Sequence, residues 1–422
     1  MLPFATSSGT WNAPLVALFT ATSAVCVTGH IIVDTATYFS TFGHVVILSL
    51  IQVGGLGYMT ATTFLLLLLG RRFGLRDKLA LQQTLDREGM HGAASVIRSI
   101  IALTVLAELT GAFLLMPVFV PDHGIGRGLW LSLFHSVSAW NNAGFSLFSD
   151  NLVGYQASGL LNLVIPLLII FGGIGYEVIF EMYLWLRDQI QRKSTRIVFS
   201  LNFKVAVSTT LLLLTLGTIA FLLSDYDNPG TFGSMPPFTK LLAAWFQSVT
   251  TRTAGFNTVD NGLLSPTALV VTIALMFVGG NPGGTAGGLK TTTLRVLTSC
   301  TKAILQGREE VYMYQRQIPL SLILKSVGVA VGSLFVVILM TALITISDPD
   351  VDFVRILFEV VSGFCTVGLS TGITAGLSAF AKLVLVATMY IGRVGVLLLM
   401  AAVLGDPTPS AVRYPEENLL VG

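Results

Sequence analysis

Long apolar runs without charge are the feature that most limits the folds open to this chain. Val45–Leu69 forms 25 consecutive positions without a charged side chain, and Val205–Leu223 forms 19 more. An α-helix needs about 20 apolar residues to cross a bilayer. Of the 422 residues, 53% are hydrophobic and 11% are charged, whereas soluble domains carry about 25% charged residues. The sequence predicts an all-α polytopic membrane protein surrounded by membrane lipid, without a sizeable soluble domain.

Residues with reactive side chains are few and scattered. The three cysteines, Cys26, Cys300 and Cys365, show neither metal-ligand spacing nor a disulfide framework. His, Cys and acidic residues form no cluster with catalytic spacing. We therefore expect no enzyme, no organic cofactor and no nucleic-acid partner.

Four short apolar segments, each closed by a glycine, recur along the chain. The closing glycines, Gly29, Gly144, Gly255 and Gly368, stand 115, 111 and 113 residues apart. Such near-constant spacing indicates internal repeats. A segment of about 12 residues is too short to span a bilayer and is typical of a re-entrant helix. The sequence therefore predicts one pore helix and one glycine turn in each of four repeats.

Longer apolar runs flank these pore helices. The runs that follow them are Val45–Leu69, Leu160–Leu186, one that starts at Ala268, and Leu383–Leu404; those that precede them are Ser99–Met116, Val205–Leu223 and Leu320–Ile346. Each unit is thus membrane helix, pore helix, glycine turn and membrane helix, with four units expected around one central pore. The predicted boundaries are 1–75, 92–196, 197–316 and 317–405 for repeats one to four, and 406–422 for a cytoplasmic tail.

Repeat one lacks its first membrane helix in this chain. Only about a dozen residues precede its pore helix, and they include Pro3, Gly9 and Pro14. We expect a longer reading frame to encode a further apolar run before Met1.

The distribution of positive charge predicts the orientation. Of the 24 Lys and Arg residues, 17 lie in the links between repeats and in the tail, whereas five lie in the loops around the glycine turns. Because cytoplasmic loops are enriched in Lys and Arg, the links and the C-terminus are expected in the cytoplasm. The glycine turns of all four repeats then open to the outside.

Glycine turns at membrane depth need a structural reason. Irregular backbone is tolerated there only where it is buried in protein or lines a wet cavity. A ring of backbone carbonyls replaces the water shell of a cation, and glycine permits the positive φ that aims successive carbonyls at one axis. The alternative is four ordinary helix C-caps. Fourfold spacing and parallel orientation favour a cation pore.

Charged residues near the turns allow further predictions. Asp34, Asp150 and Asp260 stand five or six positions after three of the glycines. They form either an acidic vestibule that concentrates cations or simple turn caps. Arg252 precedes the third glycine by three positions, so we expect it behind the filter, paired with Glu359 of the fourth pore helix.

A second set of glycines lies in the helices after the turns. Clusters stand at 54–57, 172–175 and 392–395, and the first two predict close helix packing, whereas the stretch 279–290 is too rich in glycine to remain helical. A nucleotide cradle is disfavoured by its depth in the membrane. Arg393 stands at the matching depth of repeat four, and loop carbonyls are its expected partners. This pair predicts a gate. The intramembrane acids Glu108 and Glu177 are expected either to be hydrogen-bonded internally or to lie at the cytoplasmic ends of their helices.

These motifs together resemble the Trk/Ktr/HKT superfamily of cation transporters, most closely its KtrB-type membrane subunits. The resemblance covers nearly the whole chain. The fourth segment also contains Thr366-Val367-Gly368-Leu369, similar to the potassium-channel run Thr-Val-Gly-Tyr-Gly with Leu in place of Tyr. The matching stretches are Thr20–Ala24, Asn141–Phe145, Arg252–Asn257, Thr366–Leu369 and Tyr414–Glu416.

The resemblance implies a potassium-selective subunit of a bacterial uptake system in the inner membrane, with K⁺ as the transported ion. It implies a filter, an intramembrane gating loop matching 279–289, and a gate arginine. The filter residues are Val27, Thr28, Gly29, Asn142, Ala143, Gly144, Thr253, Ala254, Gly255, Thr366, Val367 and Gly368. The gate residues are Gly279, Gly280, Gly283, Gly284, Gly287, Gly288, Lys290 and Arg393.

The family also implies a homodimer on a cytosolic nucleotide-binding regulatory ring of the KtrA type. Members with Ser at the first filter position tend to carry sodium, so Gly29 favours potassium. A sodium-conducting protein or a Na⁺/K⁺ carrier-type symporter is the alternative, although such carriers often use inverted repeats. Two departures from the family are His30, where a Leu-like residue is usual, and Asn281-Pro282 in the loop.

Overall fold

Helices dominate the structure. The computed structural model describes residues 2–57, 93–192 and 198–396, so the predicted tail 406–422 and most of the first basic link lie outside the described residues. The helices are α1 (Pro14–Val25), α2 (Thr35–Tyr38), α3 (Thr41–Leu56), α4 (Ala93–His123), α5 (Ile125–Trp140), α6 (Leu161–Ile174), α7 (Tyr176–Ile190), α8 (Leu201–Asp225), α9 (Pro237–Thr250), α10 (Pro266–Phe277), α11 (Thr291–Leu305), α12 (Leu320–Ser347), α13 (Phe353–Phe364) and α14 (Ala379–Val394).

One small β-element departs from the all-α prediction. Strand β1 (Tyr312–Met313) pairs antiparallel with β2 (Arg316–Gln317), and Tyr312 lies opposite Gln317. This hairpin joins α11 to α12. Short 3₁₀ turns occur at Pro3–Ala5, Val153–Tyr155, Asn261–Leu263 and Thr374–Gly376.

Three helices among the described residues are long and apolar enough to cross a membrane: Ile97–His123 within α4, α8 and α12. They coincide with the runs predicted to precede the pore helices of repeats two, three and four. The sequence also marks where such a helix begins. Ser200 accepts a hydrogen bond from Phe203 N, a side-chain N-cap that satisfies one of the unpaired amides of the first turn of α8.

In repeats one, two and four the helix that follows the glycine turn ends before a further glycine, and the prediction of a continuous helix there was wrong. Helices α3, α6 and α14 end immediately before Gly57, Gly175 and Gly395, whose φ angles are 79°, 94° and 89°. Because that backbone conformation does not continue a right-handed helix, the chain turns there. In repeat two, α6 and α7 meet at 105°.

The glycine clusters also permit close packing, as predicted for the first two. A methyl group on Gly54, Gly172 or Gly392 would come within 3 Å of the carbonyl oxygen of Val25, Trp140 or Phe364, respectively. In each repeat this carbonyl belongs to the C-terminal end of the pore helix. Any side chain at these glycines would push the broken helix away from the pore helix.

Contacts between repeats close in a cycle. The helix after the turn in one repeat packs on the pore helix of the next: α3 on α5, α6 on α9, α10 on α13, and α14 on α1. The last contact joins repeat four back to repeat one. The apolar core follows the same path, since Phe19 of α1 belongs to the cluster that contains Val337 of α12 and Phe358 of α13. Each pore helix therefore packs against a helix of the preceding repeat.

Candidate functional site

The four repeated glycines meet one another through space. A methyl group on any of them would lie closer than 3.0 Å to the carbonyl oxygen of the residue preceding the glycine in the next repeat. Real Cβ atoms do not approach that closely, so a side chain at any of these positions would force the neighbouring backbone to shift. The pairs are Gly29 with Ala143, Gly144 with Ala254, Gly255 with Val367, and Gly368 with Thr28. These contacts form a closed ring, which we call the glycine ring.

The backbone of the ring alternates in the same way in every repeat. The glycines have φ angles of 88°, 66°, 77° and 90°, and the residues two positions earlier, which are not glycines, also have positive φ. Between these two positions stands one residue with ordinary φ. The earlier residues are Val27 (55°), Asn142 (57°), Thr253 (66°) and Thr366 (51°). The positive φ predicted for the glycines is therefore confirmed and extends to a second position.

This pattern bears on whether the ring glycines are ordinary helix C-caps, the alternative to a cation pore. The left-handed residue that caps each pore helix is the one two positions before the glycine. In repeats one, two and four the following amide closes the cap, as Ala143 N does by donating to Ser138 O at 2.7 Å. The caps thus use Val, Asn and Thr, and they do not need the ring glycines. The glycines are required because the neighbouring repeat leaves no room for a side chain.

The pore helices direct the negative ends of their dipoles toward the ring. Helices α1, α5, α9 and α13 end at Val25, Trp140, Thr250 and Phe364, four or five residues before the ring glycines. The C-terminal end of a helix carries about half a negative charge from its unpaired carbonyls. Four such ends next to one ring of backbone create an environment that attracts cations.

The glycine-rich segment of repeat three is a loop, as predicted. Helix α10 ends at Phe277 and α11 begins at Thr291, and Gly279 N donates to Leu289 O at 2.9 Å across the base of the loop. A methyl group on Gly287 would lie 2.9 Å from Cys365 O, and one on Gly279 would lie 3.2 Å from Thr253 Cγ2. The loop therefore packs directly against the ring segments of repeats three and four.

The same loop is hydrogen-bonded to the C-terminal end of α6, where α6 and α7 of repeat two are broken apart. Asn281 N donates to Gly173 O at 3.0 Å, and Thr285 N donates to Gly172 O at 3.1 Å. The side chain of Asn281, which is buried, also donates to Ile174 O at 3.0 Å. These bonds use carbonyls that the ending helix α6 leaves without intrahelical partners. Asn281, one of the two departures from the family pattern, thus fastens the loop to α6.

Arg393 contacts the loop from the adjacent repeat four. Its guanidinium donates to the carbonyl oxygens of Thr285 in the loop and of Gly54 at the end of α3. The predicted contact between Arg393 and a loop carbonyl is confirmed, and the second bond joins repeat one to the same cluster. Lys290, another predicted gate residue, donates to Ala286 O within the loop. A cavity of about 220 Å³ opens beside this cluster, lined by residues that include Trp140, Thr285 and Arg393.

Arg252 lies behind the ring, but its predicted pairing with Glu359 was wrong. Its guanidinium donates to Gly279 O at 3.0 Å and to Thr210 O of α8 at 3.4 Å. Arg252 therefore braces the first residue of the loop against a spanning helix. Hydrogen bonds from a charged donor are stronger than neutral ones, so these two carbonyl oxygens stabilise the buried guanidinium, although its Nε has no partner among the described residues.

Glu359 is paired with His30 instead. His30 Nε2 lies 2.8 Å from Glu359 Oε2, and both side chains are at most 1% exposed. The same carboxylate accepts bonds from Ser370 Oγ at 2.7 Å, Thr371 N at 2.9 Å and Thr374 Oγ1 at 2.8 Å. Because His30 directly follows Gly29, this cluster ties the first turn to the fourth pore helix. The sequence marked His30 only as an unusual residue at that position.

The three acids beyond the turns act as caps. Asp34 accepts from Ala36 N at 3.0 Å, Asp260 from Gly262 N at 2.8 Å, and Asp150 from Gly154 N at 3.1 Å. The capping alternative is therefore confirmed. The acidic vestibule stays a prediction.

The intramembrane acids follow the expected pattern of internal hydrogen bonding. Glu108 is buried and accepts from Asn141 Nδ2 at 2.9 Å and Gln52 Nε2 at 3.3 Å. Glu177 accepts from Asn202 Nδ2 at 3.5 Å. In the part of the chain that the structure describes, no three His, Cys, Asp or Glu residues group in a way that would hold a metal ion.

Spanning helices of sufficient length and apolarity define a multi-pass helical membrane protein. A profile of the TrkH family, described as cation transport proteins, matches residues 3–411. The chain therefore belongs to the TrkH family of cation transport proteins.

Similar proteins come from several bacteria. The Ktr system potassium uptake protein B of Bacillus subtilis is 38% identical over all of this chain and 92% of its own length. The protein of the same name from Vibrio alginolyticus is 36% identical over 96% of this chain and 88% of its own. The potassium/sodium uptake protein NtpJ of Enterococcus hirae is 37% identical over all of this chain and 92% of its own.

The fold also resembles a solved structure. The crystal structure of the potassium transporter TrkH from Vibrio parahaemolyticus superposes with a TM-score of 0.71 at 17% sequence identity, covering 96% of this chain and 82% of the other. At that identity the likeness concerns the fold alone.

Proposed function

We propose that this protein is the potassium-conducting membrane subunit of a bacterial uptake system, with the glycine ring as its selectivity filter. The observation that carries the proposal is the closed cycle of contacts among Gly29, Gly144, Gly255 and Gly368. Alternating φ over three residues in four repeats is the backbone geometry needed to present successive carbonyls to a dehydrated cation. The names of the relatives from Bacillus and Vibrio, which are potassium uptake proteins, support the same ion.

Sodium is the alternative ion. The relative from Enterococcus is named a potassium/sodium uptake protein, so the class includes proteins associated with both ions. Glycine at all four ring positions favours potassium here, because a hydroxyl-bearing side chain at the first position would alter the carbonyl geometry of one quarter of the ring. A carrier-type symporter is the less favoured mechanism, since the four repeats are parallel.

The loop 279–289 and Arg393 form the gate in this proposal. The loop is bonded to repeat two through Gly172 and Gly173, and to repeat four through Arg393. These bonds close the path below the ring, and their release opens it. Glycines without bulky side chains allow the loop to move once the bonds are broken.

The proposed membrane orientation follows from the distribution of charge, and the proposed partners follow from the names of the relatives. The basic links face the cytoplasm, which places the ring on the outer side of the cell membrane. The two relatives named for a Ktr system suggest a cytosolic nucleotide-binding ring of the KtrA type as partner, with two copies of this subunit forming a homodimer. The links between repeats are the surfaces available to such a partner.

Ion flux into proteoliposomes tests the filter. Gly29→Ser places a Cβ against Ala143 O, so we expect selectivity for K⁺ over Na⁺ to fall. Gly372→Ser is the matched control, since Gly372 has the same φ of 88° but no atom within 4 Å of a Cβ. Unchanged selectivity in Gly29→Ser, or an equal change in both variants, would contradict the filter assignment.

A further inference from the structure

A polar cavity lies beside α11, away from the glycine ring. It has a volume of about 440 Å³ and is enclosed by one face of α11 and by the β1–β2 hairpin. That volume is within the range of small-molecule sites. On α11 the lining residues Arg295, Ser299, Lys302 and Gln306 are spaced by three or four positions, which places them on one face of the helix.

The cavity carries an excess of positive charge. Arg295, Lys302 and Arg308 line it, and Glu310 is the acidic residue among the lining side chains. The three cationic side chains form no hydrogen bond or ion pair with any of the residues that the structure describes, while the Glu310 carboxylate accepts a bond from Tyr312 Oη. Unpaired guanidinium and ammonium groups around a concave surface recognise phosphate-type anions.

The position of the cavity favours an anion held at the membrane surface. Spanning helices α8 and α12 begin at Leu201 and Leu320, and Tyr314 Oη of the hairpin is 2.7 Å from Ser208 Oγ of α8. At the end of α11 and the start of α12, Ile304, Leu305 and Leu320 are 70%, 82% and 68% exposed, as expected of side chains that contact acyl chains. Tyr312 and Tyr314 line the cavity, and tyrosine is enriched at membrane–water interfaces.

We propose that this cavity binds the phosphate group of an anionic ligand, and that an anionic lipid headgroup is its source. Basic pockets between helices on the cytoplasmic side bind such headgroups. A soluble phosphate compound has the same recognition chemistry, so the test compares the two sources.

Ligand binding there would act on the proposed gate. Helix α11 begins directly after the loop, and Thr291 N donates to Gly280 O at 3.1 Å. A phosphate bound by both Arg295 and Arg308 would hold α11 to the segment that leads into the hairpin, which Tyr314 fastens to α8. This part of the proposal rests on the proposed gating role of the loop.

The binding test compares the double variant Arg295→Gln/Lys302→Gln with Arg316→Gln. Arg316 lies on the same hairpin and is exposed, but it does not line the cavity. Native mass spectrometry measures phosphatidylglycerol retained by the purified full-length protein, and ATP and inorganic phosphate are titrated separately in phosphatidylcholine vesicles. Each lost cation is expected to weaken phosphatidylglycerol binding by about fivefold, with Arg316→Gln unchanged.

The outcomes separate the sources. Tight ATP or phosphate binding that is lost in the double variant, without lipid retention, supports the anion site and overturns the lipid source. Equal lipid retention by the double variant and Arg316→Gln overturns the site. If the double variant instead loses a protein partner that copurifies with the unaltered protein, while its anion binding is unchanged, the anion site is also overturned.

Potassium flux tests the coupling separately. Flux of the unaltered protein in phosphatidylcholine vesicles reports on the proposed function alone. Adding phosphatidylglycerol is expected to change that flux at least about threefold, a coupling of about 0.65 kcal/mol, and the double variant is expected to abolish the response. Flux without any lipid response would overturn the coupling and leave the conducting role intact.

Discussion

The two layers of the proposed pore, an outer layer with the glycine ring and an inner layer with the loop, are built on opposite principles. In the outer layer the four repeats share one backbone pattern, with positive φ at each ring glycine and at the residue two positions before it. In the inner layer three repeats end a helix at Gly57, Gly175 or Gly395, whereas the third opens into the loop 279–289. Uniform backbone suits coordination of a spherical ion. A single unequal segment suits a gate, because only that segment has to move.

The largest effect is expected from breaking the symmetry of the outer layer. Gly368→Ala places a methyl group against Thr28 O, and Gly368 has a φ of 90°. Backbone strain alone costs about 1–3 kcal/mol, and displacement of the neighbouring repeat adds to it. We expect potassium flux to be abolished in proteoliposomes.

Gly372→Ala is the control for that experiment. It has a φ of 88° and open space around a Cβ, so it carries the strain without the crowding. Loss of flux in both variants would mean that strain, and not the contact between repeats, governs the ring.

Removing the bonds that hold the loop in the inner layer is expected to have the next largest effect on flux. Arg393→Gln removes the charged bonds to Thr285 O and Gly54 O. Hydrogen bonds to charged groups contribute about 1.5–3 kcal/mol, so basal flux is expected to rise about tenfold. Lys382→Gln, on the exposed start of the same helix, removes one charge without touching the loop and should leave flux unchanged. Unaltered flux in Arg393→Gln would mean that Arg393 has no role in the gate.

The His30–Glu359 cluster is the asymmetric element of the outer layer, and its removal should affect stability more than flux. Glu359→Ala leaves His30, Ser370 and Thr374 without their acceptor, whereas His30→Leu removes one donor and leaves the others. We expect His30→Leu to cost about 1–3 kcal/mol and Glu359→Ala to cost more. Thermal unfolding in detergent measures both, and a larger loss in His30→Leu would contradict the assigned roles.

The smallest effect concerns the acids beyond the ring. Asp34→Ala removes an N-cap and is expected to cost about 1 kcal/mol, while Asp34→Asn keeps the acceptor and costs less than half of that. If Asp34 also concentrates cations, Asp34→Asn will raise the half-saturating K⁺ concentration at low salt. An unchanged value there would leave capping as its role.

Much of the architecture follows from local sequence. The repeat spacing, the pore helices, the helices that precede them and the loop after Phe277 depend on apolar run length and on the helix-breaking effect of glycine. Even the contact of Arg393 with the loop follows, because a charge at that depth needs oxygen partners and the unwound loop supplies them.

Other features were decided only by the tertiary structure. Local composition does not distinguish a glycine that packs within a helix from one that ends it, so the breaks at Gly57, Gly175 and Gly395 were missed. Arg252 and Glu359 have opposite charge, yet the arginine donates to the carbonyl oxygen of Gly279, and His30, 329 positions away from Glu359 in sequence, pairs with the carboxylate. Four similar units follow from the spacing of the glycines along the chain. The closure of those units into a ring arises from contacts between repeats, where steric fit selects partners that sequence distance does not reveal.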